Sequence, residues 1–418
     1  MKILKLPPYY APEQISSSHL TNDLEQAYVE AGYELEIYCP TPTRGVSEEV
    51  RSIYKNKKYE EKFDGKIKIH RFPMFREQKN TVLRALRYIL VNLIQFYKGC
   101  RAKDIDLIMA SSTPPTQGLM CSFLKKIKGV SFVYTLQDVF PDSLVNAKMT
   151  KKGSLIWKIG RKVEDFTYRC ADKIIVISED FRNNIIQKGV PEDKIVVIPN
   201  WVNTDNVYPV NREDNILIER YGLNPNLFYI SYCGNIGYSQ NMELLIDVAR
   251  DICHILPNVK FLLIGEGAAK EYVKKLINTY NLNNIITLPF QPYEDIAHVF
   301  SIGDVGLIIS KPGVGGSSVP SKTWSIMAAS RPILASFDDS SELTKIIKTE
   351  NCGIAVDSGN KDSLKKAVFE MVKNRDKLKV MGNNGFYYTN NIINKNRCIN
   401  SYLKLLSLFN KHTEETFL

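Results

Sequence analysis

Short apolar, β-branched runs alternate along this chain with longer stretches whose apolar positions recur at helical spacing. In the first half the runs are KILKL, ELEIYC, KIKIHRF, LIMASS, FVYTL, KIIVIS and KIVVIP. Such runs, bounded by turn formers and separated by helical stretches, read as buried strands of parallel βαβ units. A second series starts at Phe228 with FYISYCGNIG and continues through VKFLLIGEG, IITLPF, VGLIIS, RPILAS and GIAVDS. Because the count restarts, the pattern predicts an α/β chain of two doubly wound, Rossmann-like domains. Between them, Asn200 to Leu227 carries several prolines and asparagines without strong periodicity, the profile of a connection. The expected layout is an N-terminal domain over 1–206, a linker over 207–226 and a C-terminal domain over 227–384. Helices over 385–418 are expected to cross back to the first domain.

The length of 418 residues supports two domains, since one domain typically spans about 100–200 residues. With 44% hydrophobic and 24% charged residues, the chain is an ordinary folded protein rather than a disordered one. Its eight cysteines are scattered with no CxxC pair, which suggests neither a disulfide frame nor a zinc site. A net charge of +10 implies an anionic partner: phosphorylated small molecules, a lipid surface or nucleic acid. The lysines are dispersed, with no basic helix, which disfavours nucleic acid.

No apolar stretch reaches the length of a membrane-spanning helix. Val82 to Phe96 comes nearest and reads as an amphipathic helix, with Arg84 and Arg87 beside an apolar stripe. Packing on a sheet is the plain reading, and lying on anionic lipid the alternative. Met1 leads straight into a strand-like run without a signal-peptide pattern. The expected location is cytoplasmic, peripheral at the inner face of the cell membrane.

In open α/β sheets ligands bind outside the carboxyl ends of the strands, so candidate residues are sought there. The turn after FYISYC holds Gly234, Asn235 and Gly237, and the turn after FLLI holds Gly265 and Glu266. Glycine there lets a phosphate approach backbone N–H groups, although any tight turn also needs glycine. Gln291 follows IITLPF and joins the candidate set. The stretch after VGLIIS combines Gly315, Gly316, Ser317, Ser321 and Lys322, with Ser325 one turn into the next helix. A nest of donors with one cation suits a diphosphate, and Lys322 is the candidate to offset its charge; a solvated lysine at a helix start is the alternative.

Asp104-Ile105-Asp106 matches the DxD pattern by which many sugar transferases hold a divalent metal. It precedes a strand, the wrong end for a site, so it reads as a chance match and metal-independent chemistry is expected. In the first domain Ser111 to Pro115 ends one strand and Gln137 to Asp142 the next. Asp138, with Asp142 second, is the candidate to orient or deprotonate an acceptor hydroxyl; helix capping is the alternative. Tyr9, Tyr10, Glu13 and His19 in the first loop suit sugar or acceptor recognition, with a plain helix-start role the alternative for His19.

The ordered set KILKLPPYYAPE, SSTPP, LQDVFPDSLV, ADKIIVISEDFRNNII, KIVVIPNWVNTDNVYP, CGNIG, FLLIGEG, VPSKTWSIMAASRPILAS and GIAVDS covers nearly the whole chain. It resembles the retaining glycosyltransferases of family 4, most of all the branch acting in colanic-acid, capsule and O-antigen assembly. The resemblance implies a GT-B fold, two Rossmann-like domains facing a cleft. The nucleotide-sugar donor is then held mainly by the C-terminal domain and the acceptor by the N-terminal one, with retention of configuration and no metal. Departures stand beside it. The family's Glu-x7-Glu pair aligns with Ser317 and Ser325, its first-loop arginine and lysine with Asn235 and Gln240, and a common histidine with Gln137. Lys322 is then the main cation left.

The leading expectation is a hexosyl or N-acetylhexosaminyl transferase using a UDP-sugar as substrate, with no resident cofactor. Its acceptor would be lipid-linked or an oligosaccharide in surface-polysaccharide assembly. Two alternatives share the architecture: a UDP-sugar 2-epimerase, which needs no acceptor, and a non-catalytic scaffold of a polysaccharide-assembly complex, which binds no nucleotide.

Overall fold

The computed structural model describes residues 1–13, 18–76, 81–146, 150–316 and 319–410. The chain forms two compact units, one of Met1–Pro199 with Cys398–Leu418 and one of Asn200–Arg397.

Unit 1 begins β1 (Lys2–Lys5), α1 (Ser18–Glu30), β2 (Glu34–Pro40), α2 (Glu48–Lys55), β3 (Tyr59–Lys62) and β4 (Ile67–Phe72). It continues α3 (Thr81–Arg101), β5 (Leu107–Ser111), α4 (Thr116–Lys128), β6 (Ser131–Leu136), α5 (Asp142–Asn146) and α6 (Leu155–Cys170). Strand β7 (Lys173–Val176), α7 (Glu179–Gln187) and β8 (Ile195–Val197) complete it. The sheet order is β3-β4-β2-β1-β5-β6-β7-β8, parallel except for the β3–β4 pair. Ile3, Leu107, Ile108, Phe132 and Ile174 are fully buried, as expected of a parallel sheet covered on both faces. Strand β3 is an addition to the expected set. Its sequence YEEK is charged and lacks β-branching; it forms an edge because Phe63, Asp64 and Gly65 take positive φ and turn the chain back.

Unit 2 runs α8 (Ile216–Arg220), β9 (Phe228–Cys233), α9 (Met242–Ile252), β10 (Val259–Ile264), α10 (Lys270–Thr279) and β11 (Ile285–Leu288). There follow α11 (Ile296–Ser301), β12 (Val305–Ile309), α12 (Lys322–Ala328), β13 (Ile333–Phe337), α13 (Glu342–Thr349) and β14 (Gly353–Asp357). Last come α14 (Lys361–Lys373) and α15 (Arg375–Tyr387), while α16 (Lys395–Ser407) starts in unit 2 and belongs to unit 1 from Cys398 on. Its parallel sheet has the order β11-β10-β9-β12-β13-β14. The period-two geometry of β9 sends Phe228, Ile230 and Tyr232 into the core on one face and Tyr229 and Cys233 into the core on the other.

The stretch 207–226 is not a free linker: it straps onto unit 2. Val207 and Leu217 are core residues, Asn215 donates to the His298 carbonyl at 2.8 Å, and Arg212 pairs with Asp304 at 2.7 Å. The return to unit 1 comes at Cys398 rather than at 385. Helix α15 stays with unit 2 because Gly382 and Gly385 let it lie against Ser330 and Met327. Beyond it, Tyr402 is buried in unit 1 beside Thr135.

The amphipathic helix expected at Val82 to Phe96 is α3, but its polar stripe faces in. Gln95 donates to the Pro7 and Tyr38 carbonyls at 2.9 Å, and Asn92 to Gln117 at 2.7 Å. Arg87, fully buried, lies 4.3 Å from the Tyr9 ring centroid and donates to the Pro8 carbonyl at 3.2 Å. Gln95 and Arg87 thereby satisfy the Pro7 and Pro8 carbonyls of the loop after β1, and Gln95 also that of Tyr38 in β2.

Candidate functional site

In unit 2 the chain leaves β9 toward β10 on one side and β12 toward β13 on the other, so the loops after β9 and β12 flank the topological switch point. The loop after β9 is zipped to the loop after β10. Gly234 N–H donates to Ile264 at 2.9 Å, Ile236 N–H to Glu266 at 2.8 Å, and Ala269 N–H to Ile236 at 2.9 Å. Gly265 (φ +151°) and Gly267 (φ +158°) are required by this contact. A Cβ on Gly265 would lie 1.9 Å from the Gly234 carbonyl oxygen, and one on Gly267 2.3 Å from that of Ile236. Gly265 therefore acts through loop packing. Glu266 is exposed and paired with Lys270 on α10.

Gly237 N–H donates to the Gln240 Oε1 at 3.0 Å, so that amide is occupied within the loop. Exposed Asn235 accepts the Tyr232 hydroxyl on its carbonyl at 2.5 Å. Gly234, at φ +125°, turns the side where a Cβ would sit toward Lys322, whose Nζ would be 3.3 Å from that atom.

Lys322 is the first residue of α12, which is pinned from behind by fully buried Met327 and Ala328 and by Trp324 stacked on Tyr388. Its Nζ sits 3.5 Å from the Tyr232 ring centroid. Among the described residues no carboxylate lies within ion-pair distance of it. Desolvation pulls its pKa down to about 7, against a smaller opposing pull from Cys233. The ammonium is thus held in a partly buried place without a counter-anion.

The glycine loop after β12 is organised by Asp338, which follows β13. Its carboxylate accepts the Gly313 and Gly315 amides, each at 2.8 Å. The Gly315 amide, a candidate phosphate donor, is therefore already engaged. Gly316 is exposed next to it, and Ser317 lies outside the described residues. Ser321 is exposed at the start of α12 without a capping bond, and Ser325 is half-buried one turn on. Gln291 is a packing residue rather than a donor contact. It is buried, its Oε1 accepts Arg220 at 3.2 Å and Tyr221 at 3.1 Å, and its Nε2 donates to the Pro289 carbonyl at 2.7 Å.

In unit 1 the buried Ser112 hydroxyl accepts the Gln137 and Asp138 amides at 3.0 and 3.1 Å, which fixes the turn after β6. Asp138 is exposed as a residue, yet protein crowds its carboxyl. Desolvation pushes its pKa up to about 6, and a Thr113 hydroxyl bond opposes the rise. Asp142 instead pairs with Lys188 at 2.8 Å. Tyr9 and Tyr10 are buried, and the Tyr10 hydroxyl donates to Glu25 at 2.7 Å. Buried Glu13 accepts the Tyr10, Thr43 and Arg44 amides at 3.1, 2.7 and 2.8 Å. These three hold the first loop together and are not offered to a ligand. His19 lies half-buried in the first turn of α1. Asp106 accepts the Lys2 amide at 2.7 Å at the amino end of the sheet, which accounts for that half of the DxD match.

Sequence reasoning missed Asp338 and Tyr232, and placed Ser112 in a strand-end stretch without giving it a role. Asp338 and Ser112 directly follow strands, so the carboxyl-end rule pointed at both; Tyr232 lies within a strand and carries no such signal.

Comparison with known proteins decides the family. Residues 18–206 match the model of Glycosyltransferase Family 4 and residues 213–387 that of Glycosyl transferases group 1. WbjE of Pseudomonas aeruginosa, which carries the name of a glycosyltransferase, is 30% identical over 290 residues, 68% of this chain and 70% of WbjE. The chain belongs to glycosyltransferase family 4. Within it, WcaI of Escherichia coli, named for colanic acid biosynthesis, is 25% identical over 364 residues, 85% of this chain and 88% of WcaI. Among solved structures, sucrose-phosphate synthase from Thermosynechococcus elongatus has a TM-score of 0.75 at 15% identity, covering 97% of this chain and 98% of that one. Anabaena HepE, solved with UDP, has a TM-score of 0.72 at 16% identity, covering 98% and 100%. Both likenesses place this family-4 glycosyltransferase on the GT-B fold of two Rossmann-like domains.

Proposed function

We propose that this glycosyltransferase moves a hexose or N-acetylhexosamine from a UDP-sugar to a lipid-linked or oligosaccharide acceptor of surface-polysaccharide biosynthesis, retaining configuration and using no metal. The donor is a substrate, and no resident cofactor is called for. The observation that carries the reading is Lys322, a partly buried ammonium without a carboxylate partner among the described residues, set against the Gly234 turn. A diphosphate supplies the missing charge. The solution of HepE with UDP, and of the same protein with UDP-glucose, supports the donor class.

On this reading the bond between the sugar's anomeric carbon and the β-phosphate oxygen breaks as charge develops beside Lys322. The acceptor hydroxyl forms the new bond on the same face. Its proton passes to the departing phosphate oxygen, and UDP leaves. Asp138 orients the acceptor hydroxyl through its carboxylate form. The Gly315 amide takes no part while Asp338 holds it. The protein works peripherally at the inner face of the cell membrane, where a lipid-linked acceptor is presented.

A thermal-shift screen of UDP, GDP and ADP tests the site. A nucleotide at about 100 times its dissociation constant stabilises by about 2.7 kcal/mol. A shift selective for UDP is expected. Folded protein that responds to no nucleotide overturns the reading in favour of a scaffold, and conversion of a UDP-sugar without acceptor overturns it in favour of an epimerase.

A further inference from the structure

Helix α3 is turned inside out for a protein surrounded only by water. The side chains that pack onto unit 1 include Arg87, Asn92 and Gln95, whereas Leu86, Ile89, Leu90, Leu93 and Tyr97 are exposed. Those five recur at helical spacing and form one strip; Leu93 alone is 61% exposed. Scattered exposed apolar residues need no explanation, but a periodic strip nearly three turns long does.

The strip continues onto the neighbouring helix. A Cβ on Gly99 of α3 would come within 2.7 Å of Leu124 of α4, so the two helices cross closely. On the outer side of α4, Phe123 and Ile127 are exposed with Lys126 between them. The next helix of the layer, α6, packs on α4 where Gly118 meets Thr167, and it exposes Ile156, Lys158, Ile159 and Lys162.

The charge on this layer is predominantly positive. Neither α3 nor α4 contains an aspartate or glutamate. The two acids of α6, Glu164 and Asp165, are both engaged by Arg161. Among the described residues no helix is long and apolar enough to cross a membrane, so the strip is a surface face and not a span. An apolar strip bordered by lysine and arginine matches the acyl boundary and anionic headgroups of a lipid leaflet. A second copy matches poorly, because a two-fold contact through this face would set one net-positive surface against another.

We infer that the outward strip of α3, with the adjoining outer face of α4, seats the protein in the headgroup layer of an anionic bilayer. The inference deepens the lipid-linked-acceptor reading and rests on it for its purpose, but not for its test.

The test is flotation of the full chain with vesicles of phosphatidylcholine alone or mixed equally with phosphatidylglycerol. Wild-type protein is expected to float with the mixed vesicles, less at high salt and least with phosphatidylcholine alone. The pair Leu86→Ser and Leu93→Ser is expected to lower the partition coefficient about a hundredfold, since two leucine-sized side chains no longer enter lipid. The melting temperature should hold, because both side chains are solvated in the free protein. Lys126→Glu should remove part of the salt-sensitive binding. Wild-type failure to float with mixed vesicles, or serine variants that float as wild type does, overturns the inference. So does a dimer in sedimentation that the serine variants break. UDP binding measured on the same proteins separates the two readings: lost flotation with intact UDP binding removes the docking face alone, and intact flotation without UDP binding removes the transferase reading alone.

Discussion

Replacing Lys322 with methionine should strengthen the fold and weaken the site at once. The ammonium titrates near 7 in the folded protein against an ordinary 10.5, because burial disfavours its charge. Between those values the folded protein holds fewer protons than the unfolded chain. The penalty is therefore fully expressed below about pH 7 and disappears as pH rises past 10.5. At about 1.4 kcal/mol per pH unit its ceiling is about 5 kcal/mol. Partial exposure and the Tyr232 ring reduce what the substitution recovers to about 1–3 kcal/mol. For a unit of this size that is a rise of about 2–4 °C per kcal/mol in the melting temperature.

Over the same substitution UDP should lose a preorganised cation, about 2–4 kcal/mol, or about thirty- to a thousandfold in affinity. Calorimetric unfolding at acidic, neutral and alkaline pH, with UDP titrations alongside, reads both effects. The stability gain should shrink toward alkaline pH. Wild-type affinity for UDP should fall as pH climbs above 7, because binding draws a proton onto Lys322. A methionine variant that is less stable at acidic pH and binds UDP as the wild type does would refute the reasoning, since Lys322 would then be a paired structural cation.

Three further outcomes are expected. Gly265→Ala forces a Cβ to within 1.9 Å of the Gly234 carbonyl and should destabilise by more than about 2 kcal/mol in urea unfolding while abolishing the UDP-induced shift; a neutral effect would mean that the two loops are not zipped. Asp338→Ala removes the acceptor of the Gly313 and Gly315 amides and should speed their hydrogen exchange; unchanged protection would show that the carboxylate does not hold the loop in solution. Wild-type turnover should rise through about pH 6 as the Asp138 carboxylate forms. Asp138→Asn should be slow without that inflection, and an unaltered pH profile would remove Asp138 from the acceptor site.

The parallel strands were legible because burial on both faces leaves continuous apolar runs, as in β9, β10 and β12. Strand β3 was not, since an edge strand can be charged and its turn begins at Phe63, a residue not expected at positive φ. The helical period of α3 showed that one face is apolar but not which face meets the sheet. That was decided by the Pro7, Pro8 and Tyr38 carbonyls, which needed Arg87 and Gln95 more than solvent did. At the site, Lys322 could be singled out as a cation entering a helix after a glycine loop. The fate of Gly315 and Gln291 could not be read, because their partners, Asp338 and Tyr221, lie 23 and 70 residues away along the chain. The boundary near Pro199 escaped because prolines and asparagines over 207–226 signal a loop without saying whether it packs.

The most direct test of the transferase reading is release of UDP from UDP-hexoses and UDP-N-acetylhexosamines by the purified full chain, with and without a lipid-linked saccharide fraction as acceptor. The account predicts UDP release and a lengthened lipid-linked product only when acceptor is supplied, and loss of both with Lys322→Met. No release from any UDP-sugar in the presence of acceptor, or sugar conversion that ignores the acceptor, would contradict it.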